Sequence, residues 1–260
     1  MIDKKSQRLN EILNVLKRRN GASIKELSQE LDVSHMTIRR DLGMLEQQGL
    51  VTLFHGGAVY NQRDNAGDAD SEYSLVSAES EHVSEKRRIG RAAADLIDPG
   101  DILIIDTGST TEAVARELPV DTPLTILCYS MNVLQEVTRH PQIDLIFAGG
   151  NFHPNTLMFE SPEGISLIER NRAEKAFLSA AGVSLRLGVT CLNSYERDTK
   201  VAAIQSSLSR ILVADSSKFG KIQPSYFADV GDFDVVVTDE GIPEEYAEEF
   251  RERGIRLIIA

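Results

Sequence analysis

The stretch ELSQELDVSHMTIRRDLGMLEQQGLV, residues 26–51, decides the fold of the N-terminal part of the chain. It predicts two short helices that are separated by a tight turn. Ser23 and Glu26 match the capping-box pattern that begins the first helix, and Ser34 is a suitable N-cap for the second. Since only Asp32-Val33 remain as a connection, the two helices are predicted to form a helix-turn-helix.

The residues on either side predict a further helix and a β-hairpin. Residues 6–20 repeat apolar side chains at helical spacing, and Gly49 is the expected residue after the last helix. Residues 50–60, LVTLFHGGAVY, are two β-prone runs around a Gly-Gly pair, which is typical of a hairpin. Residues 1–60 are therefore predicted to be a winged helix-turn-helix domain.

The second helix of this motif can enter the major groove of DNA. Arg39 and Arg40 suit guanine edges or phosphates, whereas Asp41 is better interpreted as a local partner for an arginine. The predicted DNA-binding residues are Ser34, His35, Met36, Thr37, Arg39 and Arg40. Two adjacent arginines alone are more typical of a solvated surface, so a helical domain that docks protein is the alternative.

One signature in this helix carries a resemblance to a known family. The pattern S-x-x-T-I/V-R-R-D-L is matched without departure by Ser34, Thr37, Ile38, Arg39, Arg40, Asp41 and Leu42. Together with the Gly-Gly wing, it resembles the DNA-binding domain of the DeoR family of bacterial transcriptional regulators. The resemblance implies that the partner is double-stranded operator DNA.

The charge of the chain changes sign after this domain. The 260 residues contain 28 Lys and Arg against 40 Asp and Glu, a net charge of −12 that by itself argues against nucleic acid. Residues 1–60, however, contain nine basic and seven acidic side chains. Residues 61–84 have the polar composition of a linker. Contact with DNA is therefore expected from the N-terminal domain alone.

Composition also limits the compartment and the cofactors. No apolar run approaches the ~18 residues of a membrane span, and the charged N-terminus lacks a signal segment. Two cysteines, Cys128 and Cys191, are too few for a disulfide framework, and their apolar context predicts buried thiols. No cofactor or metal motif occurs, and the scattered histidines predict surface or loop positions. We expect a cytoplasmic protein without membrane, metal or cofactor.

Residues 85–260 alternate apolar strands with helices. The strand candidates are 102–105, 124–128, 143–148, 176–181, 210–214, 234–238 and 255–259. The helix candidates are 85–97, 111–118, 131–139, 162–172, 195–208 and 243–253. This order predicts a mostly parallel α/β sheet, in which ligands bind beyond the carboxyl ends of the strands.

Polar residues follow several of these strands. The run Asp106, Thr107, Gly108, Ser109, Thr110 and Thr111 opens a helix, whose free N–H groups favour an anion. Ser130 and Asn132 follow the second strand, Gly150 the third, and Lys218 a later one. Each cluster alone is explained by ordinary helix capping, but together they indicate a small anionic, hydroxyl-rich ligand.

This second domain resembles the effector domain of the DeoR family, which is related in fold to ribose-5-phosphate isomerase. The resemblance rests on residues 85–111 (EKRRIGRAAADLIDPGDILIIDTGSTT) and 213–220 (VADSSKFG). It implies a repressor of a sugar or nucleoside catabolic operon, released from DNA by a phosphorylated sugar. A single winged helix reads only a half-site, so a homo-oligomer, a dimer or higher, is expected.

The resemblance also implies roles for individual residues. Lys86 and the loop Gly108–Thr111 would hold the phosphate, while Ser130, Asn132, Gly150 and Lys218 would surround the sugar, with Asp106 beside them. The family's acidic D-G motif is replaced by Ser179–Val183. Losing a carboxylate that binds a hydroxyl is compatible with deoxyribose-5-phosphate as the effector.

A sugar-phosphate isomerase that carries a DNA-binding appendage is the alternative function. Isomerisation needs a positioned base beside the carbonyl, and Ser179–Gly182 offer none. Asp106, Glu196 and Asp198 remain as carboxylates that can reach the site. The missing base predicts that the protein is not an enzyme.

Overall fold

The computed structural model describes residues 4–19, 21–47, 50–54, 56–60, 75, 78 and 80–260. The chain divides into two compact units, with the boundary at residues 72–73, outside the described part. Gly49, predicted to end the helix-turn-helix, and most of the predicted linker 61–84 also lie outside it.

The N-terminal unit is a winged helix-turn-helix. Its helices are α1 (Lys4–Arg19), α2 (Ile24–Glu30) and α3 (His35–Gln47), and its strands are β1 (Ala22–Ser23), β2 (Val51–Phe54) and β3 (Gly57–Tyr60). The hairpin β2–β3 was predicted, whereas β1 was not. β1 is a two-residue strand that extends the wing by pairing with β3, giving the order β1-β3-β2.

The predicted capping box and the apolar helix faces of this unit are both present. Ser23 Oγ accepts a hydrogen bond from the Glu26 amide, and the Glu26 carboxylate accepts one from the Ser23 amide, so the capping box begins α2. The three helices bury one apolar face each in a common core. Its fully buried members include Ile12, Leu16, Leu27, Ile38, Leu42 and Leu45.

The C-terminal unit is built from six α-helices and twelve strands in the part of the chain that the structure describes. The helices are α4 (Val83–Ala94), α5 (Ser109–Arg116), α6 (Met131–Val137), α7 (Pro162–Arg170), α8 (Ser194–Gln205) and α9 (Glu244–Glu252). The strands of the main sheet are β4 (Ile102–Ile105), β5 (Leu124–Cys128), β6 (Ile143–Phe147), β9 (Ala173–Leu178), β12 (Ser207–Val213), β14 (Val235–Thr238) and β15 (Arg256–Ile259).

These seven strands form one parallel sheet in the order β15-β14-β12-β9-β4-β5-β6. Side chains alternate across it, so Leu103 and Ile105 pack with α4, α5 and α6, while Ile104 packs with α7, α8 and α9. The result is the predicted α/β architecture, a sheet covered on both faces. No described helix has the length and apolarity needed to cross a bilayer.

Five short strands were not predicted. β7 (Asn151–His153) pairs with β8 (Met158–Glu160), and β10 (Gly182–Ser184), β11 (Gly188–Cys191) and β13 (Ser225–Ala228) form a small antiparallel sheet. The helix predicted for 195–208 ends at Gln205, because Ser207 already pairs with Ala173 in the main sheet. Strands of three or four residues give too short a pattern to separate from loops.

Candidate functional site

Helix α3 presents two exposed arginines, Arg39 and Arg40. His35, Met36, Arg39 and Arg40 are all exposed, and 67% of Met36 is accessible. Within the described part of the chain, neither arginine makes an ion pair or hydrogen bond. These four side chains are therefore free to reach a partner.

Ser34 begins α3 as its N-cap. Its Oγ accepts a hydrogen bond from the Thr37 amide at 3.2 Å and lies 2.9 Å from Thr37 Oγ1. The hydroxyls of two predicted DNA-binding residues are thus held together at the N-terminal end of the helix, where the free amides also point.

Asp41 on the opposite side of α3 is a positioning residue. Only 1% of it is exposed, and Arg8 of α1 donates to both oxygens, Nε to Oδ2 at 2.5 Å and an Nη to Oδ1 at 3.3 Å. The expected arginine partner is therefore Arg8 rather than a neighbour in α3. This bidentate ion pair joins α3 to α1. Because Arg8 is the partner of Asp41, Arg39 and Arg40 do not pair with this carboxylate.

A cleft lies at the carboxyl ends of β4 and β9 in the C-terminal unit. The space within it, including the open mouth, is about 530 Å³. Of the predicted ligand residues, Gly108, Ser109, Thr110 and Lys218 line it. The lining also includes Thr107, Ser179, Glu196 and Lys200, none of them among the predicted ligand residues.

The Gly108 turn gives the cleft donors for an anion. Gly108 has φ +142°, and a Cβ there would lie 2.8 Å from Ser179 Oγ, so only glycine fits. As the N-cap of α5, it has no side chain that could cap the amides of the first turn. The hydroxyls of Ser109 and Thr110 have no hydrogen-bond partner among the described residues. Lys218 Nζ is 3.9 Å from Asp215 Oδ2.

A buried ion pair forms the floor of the cleft. Asp106 is completely buried, and its Oδ2 accepts hydrogen bonds from the Ser179 amide at 2.8 Å and from Lys200 Nζ. Tyr129 donates its hydroxyl to Oδ1 at 2.7 Å. Burial opposes the charge of Lys200, but Asp106 and Glu196 keep its pKa above the ordinary value. Asp106 is thus occupied by the protein itself, and the structure does not place it on the cleft wall.

The Lys200 ammonium is likewise occupied. Besides Asp106 it lies 3.2 Å from both the carbonyl oxygen and the Oγ of Ser179, and 5.2 Å from the centre of the Phe227 ring. Its three protons therefore all have acceptors. Together with Ser179, the Asp106–Lys200 pair joins the ends of β4 and β9. The two opposite charges cancel, so this pair adds no net charge to the floor of the cleft.

Glu196 brings a carboxylate to the cleft. It is the third residue of α8, and its Oε1 accepts hydrogen bonds from the amide and the Nδ2 of Asn193, at 3.0 and 2.8 Å. Only 6% of the residue is exposed, and burial raises its pKa, partly offset by Lys200 and Asn193. Of the carboxylates considered for catalysis, Glu196 reaches the cleft, while Asp198 points to solvent and pairs with Arg197.

Lys86, predicted to hold phosphate, lies behind the cleft. Its ammonium is buried and donates to the carbonyl oxygens of Ala78 at 2.5 Å and Glu81 at 2.8 Å. Ala78 itself lines the cleft. The structure therefore connects Lys86 to the cleft through the backbone of Ala78, and its contact with phosphate stays a prediction.

Thr111 and Asn132 support the Gly108 turn from below. The Thr111 hydroxyl and the Asn132 Nδ2 both donate to the Gly108 carbonyl, at 3.0 and 3.1 Å. Asn132 Nδ2 also lies 3.0 Å from Glu112 Oε2. Neither residue lines the cleft, so their geometry suits positioning of the turn.

Ser130 and Gly150 lie at the ends of β5 and β6, away from the cleft lining. Ser130 is completely buried, and its Oγ has no partner in the described part of the chain. A Cβ at Gly150 would come within 2.2 Å of the Glu160 carbonyl oxygen, so the glycine permits the β8 backbone to pass. A role for either in ligand binding stays a prediction.

The structure also describes His153 and the two cysteines. His153 is in β7, half-buried, with its ring stacked on Tyr195 at a centroid distance of 3.6 Å. Cys128 and Cys191 are both buried and free, as predicted. Burial raises the pKa of the Cys128 thiol to about 12, so it is unreactive in the folded protein.

A winged helix that exposes two arginines without a partner among the described residues, joined to an α/β unit with a polar cleft, is typical of a DNA-binding regulator. Two family models match the chain. Residues 8–64 match the DeoR-like helix-turn-helix domain, and residues 81–240 match the DeoR C-terminal sensor domain. The chain therefore belongs to the DeoR family and is a transcriptional regulator rather than an enzyme.

Curated relatives match along nearly their whole length. The deoxyribose operon repressor of Escherichia coli strain K12 is 33% identical over 99% of this chain and 100% of its own. The regulator GolR of Listeria innocua is 30% identical over 98% of each chain, and the lactose phosphotransferase system repressor of Staphylococcus epidermidis is 33% identical over 90% and 92%.

Similar solved structures are more distant. Ribose-5-phosphate isomerase A of Methanocaldococcus jannaschii matches 52% of this chain and 53% of its own at 14% identity and a TM-score of 0.36. A probable sor operon regulator from Shigella flexneri matches 62% and 87% at 11% identity and a TM-score of 0.42. At these scores the likeness says nothing about function.

Proposed function

We propose that the protein represses a sugar or nucleoside catabolic operon and that a phosphorylated sugar releases it from its operator. The observation that carries the proposal is the cleft, in which a glycine turn, two hydroxyls without a partner among the described residues and Lys218 converge beside the Asp106–Lys200 pair. Amides at a helix N-terminus and a nearby ammonium are the groups that bind phosphate.

The proposed DNA-binding surface is the exposed side of α3. Arg39 and Arg40 would contact bases or phosphates, and Ser34, His35, Met36 and Thr37 would lie at the groove with the helix N-terminus. Since this surface reads one half-site, we propose that a homo-oligomer binds the full operator. The domain limits proposed for this protein are 1–60, 61–84 and 85–260, and the proposed compartment is the cytoplasm.

Deoxyribose-5-phosphate is the effector that we propose. Two observations support this choice. One is the similarity to a protein named deoxyribose operon repressor, and the other is the run Ser179–Gly182, which supplies no carboxylate at the strand end. A sugar without its 2-hydroxyl needs one acceptor fewer than ribose does.

The segment before α4 offers a route from the cleft to the DNA-binding unit. Ala78 lines the cleft, Lys86 fixes its carbonyl, and the Leu75 amide donates to the Asn155 carbonyl at 2.8 Å. This segment continues toward the N-terminal unit along the chain. A ligand that prefers one arrangement of Ala78 therefore acts on the connection to the DNA-binding unit.

Isothermal titration calorimetry with deoxyribose-5-phosphate tests the proposed site. Lys218→Ala should weaken binding about tenfold or more, because it removes the ammonium from the phosphate. Lys25→Ala, an exposed lysine of α2, is the matched control and should bind like wild type. Unchanged affinity in Lys218→Ala and in Ser109→Ala would remove the phosphate from this cleft.

A further inference from the structure

Among the charged side chains that line the described cleft, only Glu196 has a hydrogen-bond acceptor atom that no protein group occupies. Lys200 gives its protons to Asp106 and Ser179, and Lys218 offers protons rather than lone pairs. Glu196 uses Oε1 in the cap of α8, and its Oε2 accepts no hydrogen bond from any described residue. Only 6% of the Glu196 residue is exposed.

Because Glu196 lines the cleft, a ligand there can donate a hydrogen bond to Oε2. The phosphate dianion cannot be this donor, because it carries no proton and would repel the carboxylate, whereas a sugar hydroxyl can donate to it. The amides of the Gly108 turn and Lys218 supply the cleft with its sites for the anion instead. The cleft thus separates an anion-binding side from a side that accepts a hydroxyl proton.

We propose that Glu196 is the residue that recognises a hydroxyl of the sugar, at the end of the ligand remote from its phosphate. This inference rests on the proposed function, since it requires a phosphorylated sugar in the cleft. Glu196 thereby acts as the specificity determinant between a sugar phosphate and phosphate alone. Its rigid cap on Asn193 fixes the carboxylate plane, so the hydroxyl is selected by position as well as by type.

Burial by itself disfavours the ionised form of the Glu196 carboxyl. It raises the pKa of Glu196, while the Lys200 charge and the Asn193 hydrogen bonds act in the opposite direction. A hydroxyl that donates to Oε2 would favour the ionised carboxylate further.

Glu196→Gln is the decisive variant. Glutamine at this position keeps the capping box, because its amide oxygen accepts from Asn193 as glutamate does, but it removes the charge. The matched control is Glu26→Gln, the same substitution at the same capping-box position of α2 in the other unit. Calorimetry on the full chain would compare deoxyribose-5-phosphate with inorganic phosphate for wild type and both variants.

We expect Glu196→Gln to bind deoxyribose-5-phosphate about tenfold more weakly while its affinity for inorganic phosphate changes less than about twofold. Sugar-phosphate affinity within twofold of wild type would overturn the inference and leave the proposed function intact, and so would an equal loss for both ligands. A wild-type protein that binds neither ligand would instead refute the proposed function. If Glu196→Gln does not fold, Glu196→Asp carries the same expectation, because it withdraws the charge from the cleft.

Discussion

Each unit of the molecule holds its proposed recognition element with a buried aspartate, but the two ion pairs differ in exposure. In the N-terminal unit Asp41 is 1% exposed and its partner Arg8 has a side chain that is 25% exposed. In the C-terminal unit Asp106 and Lys200 are 0% and 1% exposed. The Arg8–Asp41 pair holds α3 at the edge of the small N-terminal core. The Asp106–Lys200 pair forms the floor of the cleft.

This difference in exposure separates charged side chains that can contact a partner from charged side chains that stabilise the fold. Arg39 and Arg40 are exposed and unpaired within the described chain, whereas Lys200 is buried and fully paired. Removing an exposed arginine should change binding alone, while removing a buried partner should change stability first.

Lys200→Met should lower the free energy of unfolding of the C-terminal unit by about 3–5 kcal/mol, because Asp106 is left as a buried charge without its cation. Urea denaturation followed by circular dichroism measures the loss. Adding Asp106→Asn should restore part of it, since the double variant no longer buries an unpaired charge. A loss below about 1 kcal/mol would show that Lys200 does not neutralise the floor.

Arg8→Met should cost less, about 1–3 kcal/mol in the N-terminal unit, because water reaches the partly exposed Arg8 and screens the pair. The same denaturation experiment applies, with Asp41→Asn as the reciprocal variant. A larger loss than that of Lys200→Met would invert the comparison between the two units.

Arg40→Ala should leave stability within about 0.5 kcal/mol of wild type and weaken operator binding by about tenfold or more. Fluorescence anisotropy at physiological salt, with DNA from the promoter of the protein's own operon, measures the affinity. Arg186→Ala, an exposed arginine of the C-terminal unit, is the matched control and should bind normally. Wild-type affinity in Arg40→Ala would remove α3 from the DNA-binding surface.

The thiols should show the smallest effect, which is none in the folded state. Cys128 and Cys191 are buried, and burial raises the pKa of both, that of Cys128 to about 12. Iodoacetamide at pH 8 should therefore label neither, as read by mass spectrometry, whereas the urea-unfolded chain should take two labels. Labelling of Cys128 in the native protein would show that the sheet opens locally.

Much of the fold follows from sequence because the main strands are apolar runs separated by helices. The small sheet of β10, β11 and β13 was missed, since its strands are short and include Gly182 and Gly188. Helix α8 was extended too far for a related reason. Ser207 and Leu208 continue the helical pattern, and only pairing with β9 makes them a strand.

The cleft was only partly visible in the sequence. Glycine and hydroxyl residues after a buried strand predict the Gly108 turn, and a lysine in the loop after β12 predicts Lys218. Glu196 and Lys200 lie on α8 with Arg197 and Asp198, and charged helix residues are usually exposed. The sequence pointed to Glu196 only as a carboxylate for catalysis. Asn193, three residues earlier, is a further signal, because this capping-box pattern places the carboxylate on the first turn of α8.

The central claim is that a phosphorylated sugar in the cleft weakens operator binding. Fluorescence anisotropy with labelled operator DNA, titrated with deoxyribose-5-phosphate, tests it directly for wild type and Lys218→Ala. We expect wild type to be released as the sugar phosphate is added and Lys218→Ala to need about tenfold more of it. If wild type stays bound at saturating ligand, or both proteins are released at the same concentration, the claim is contradicted.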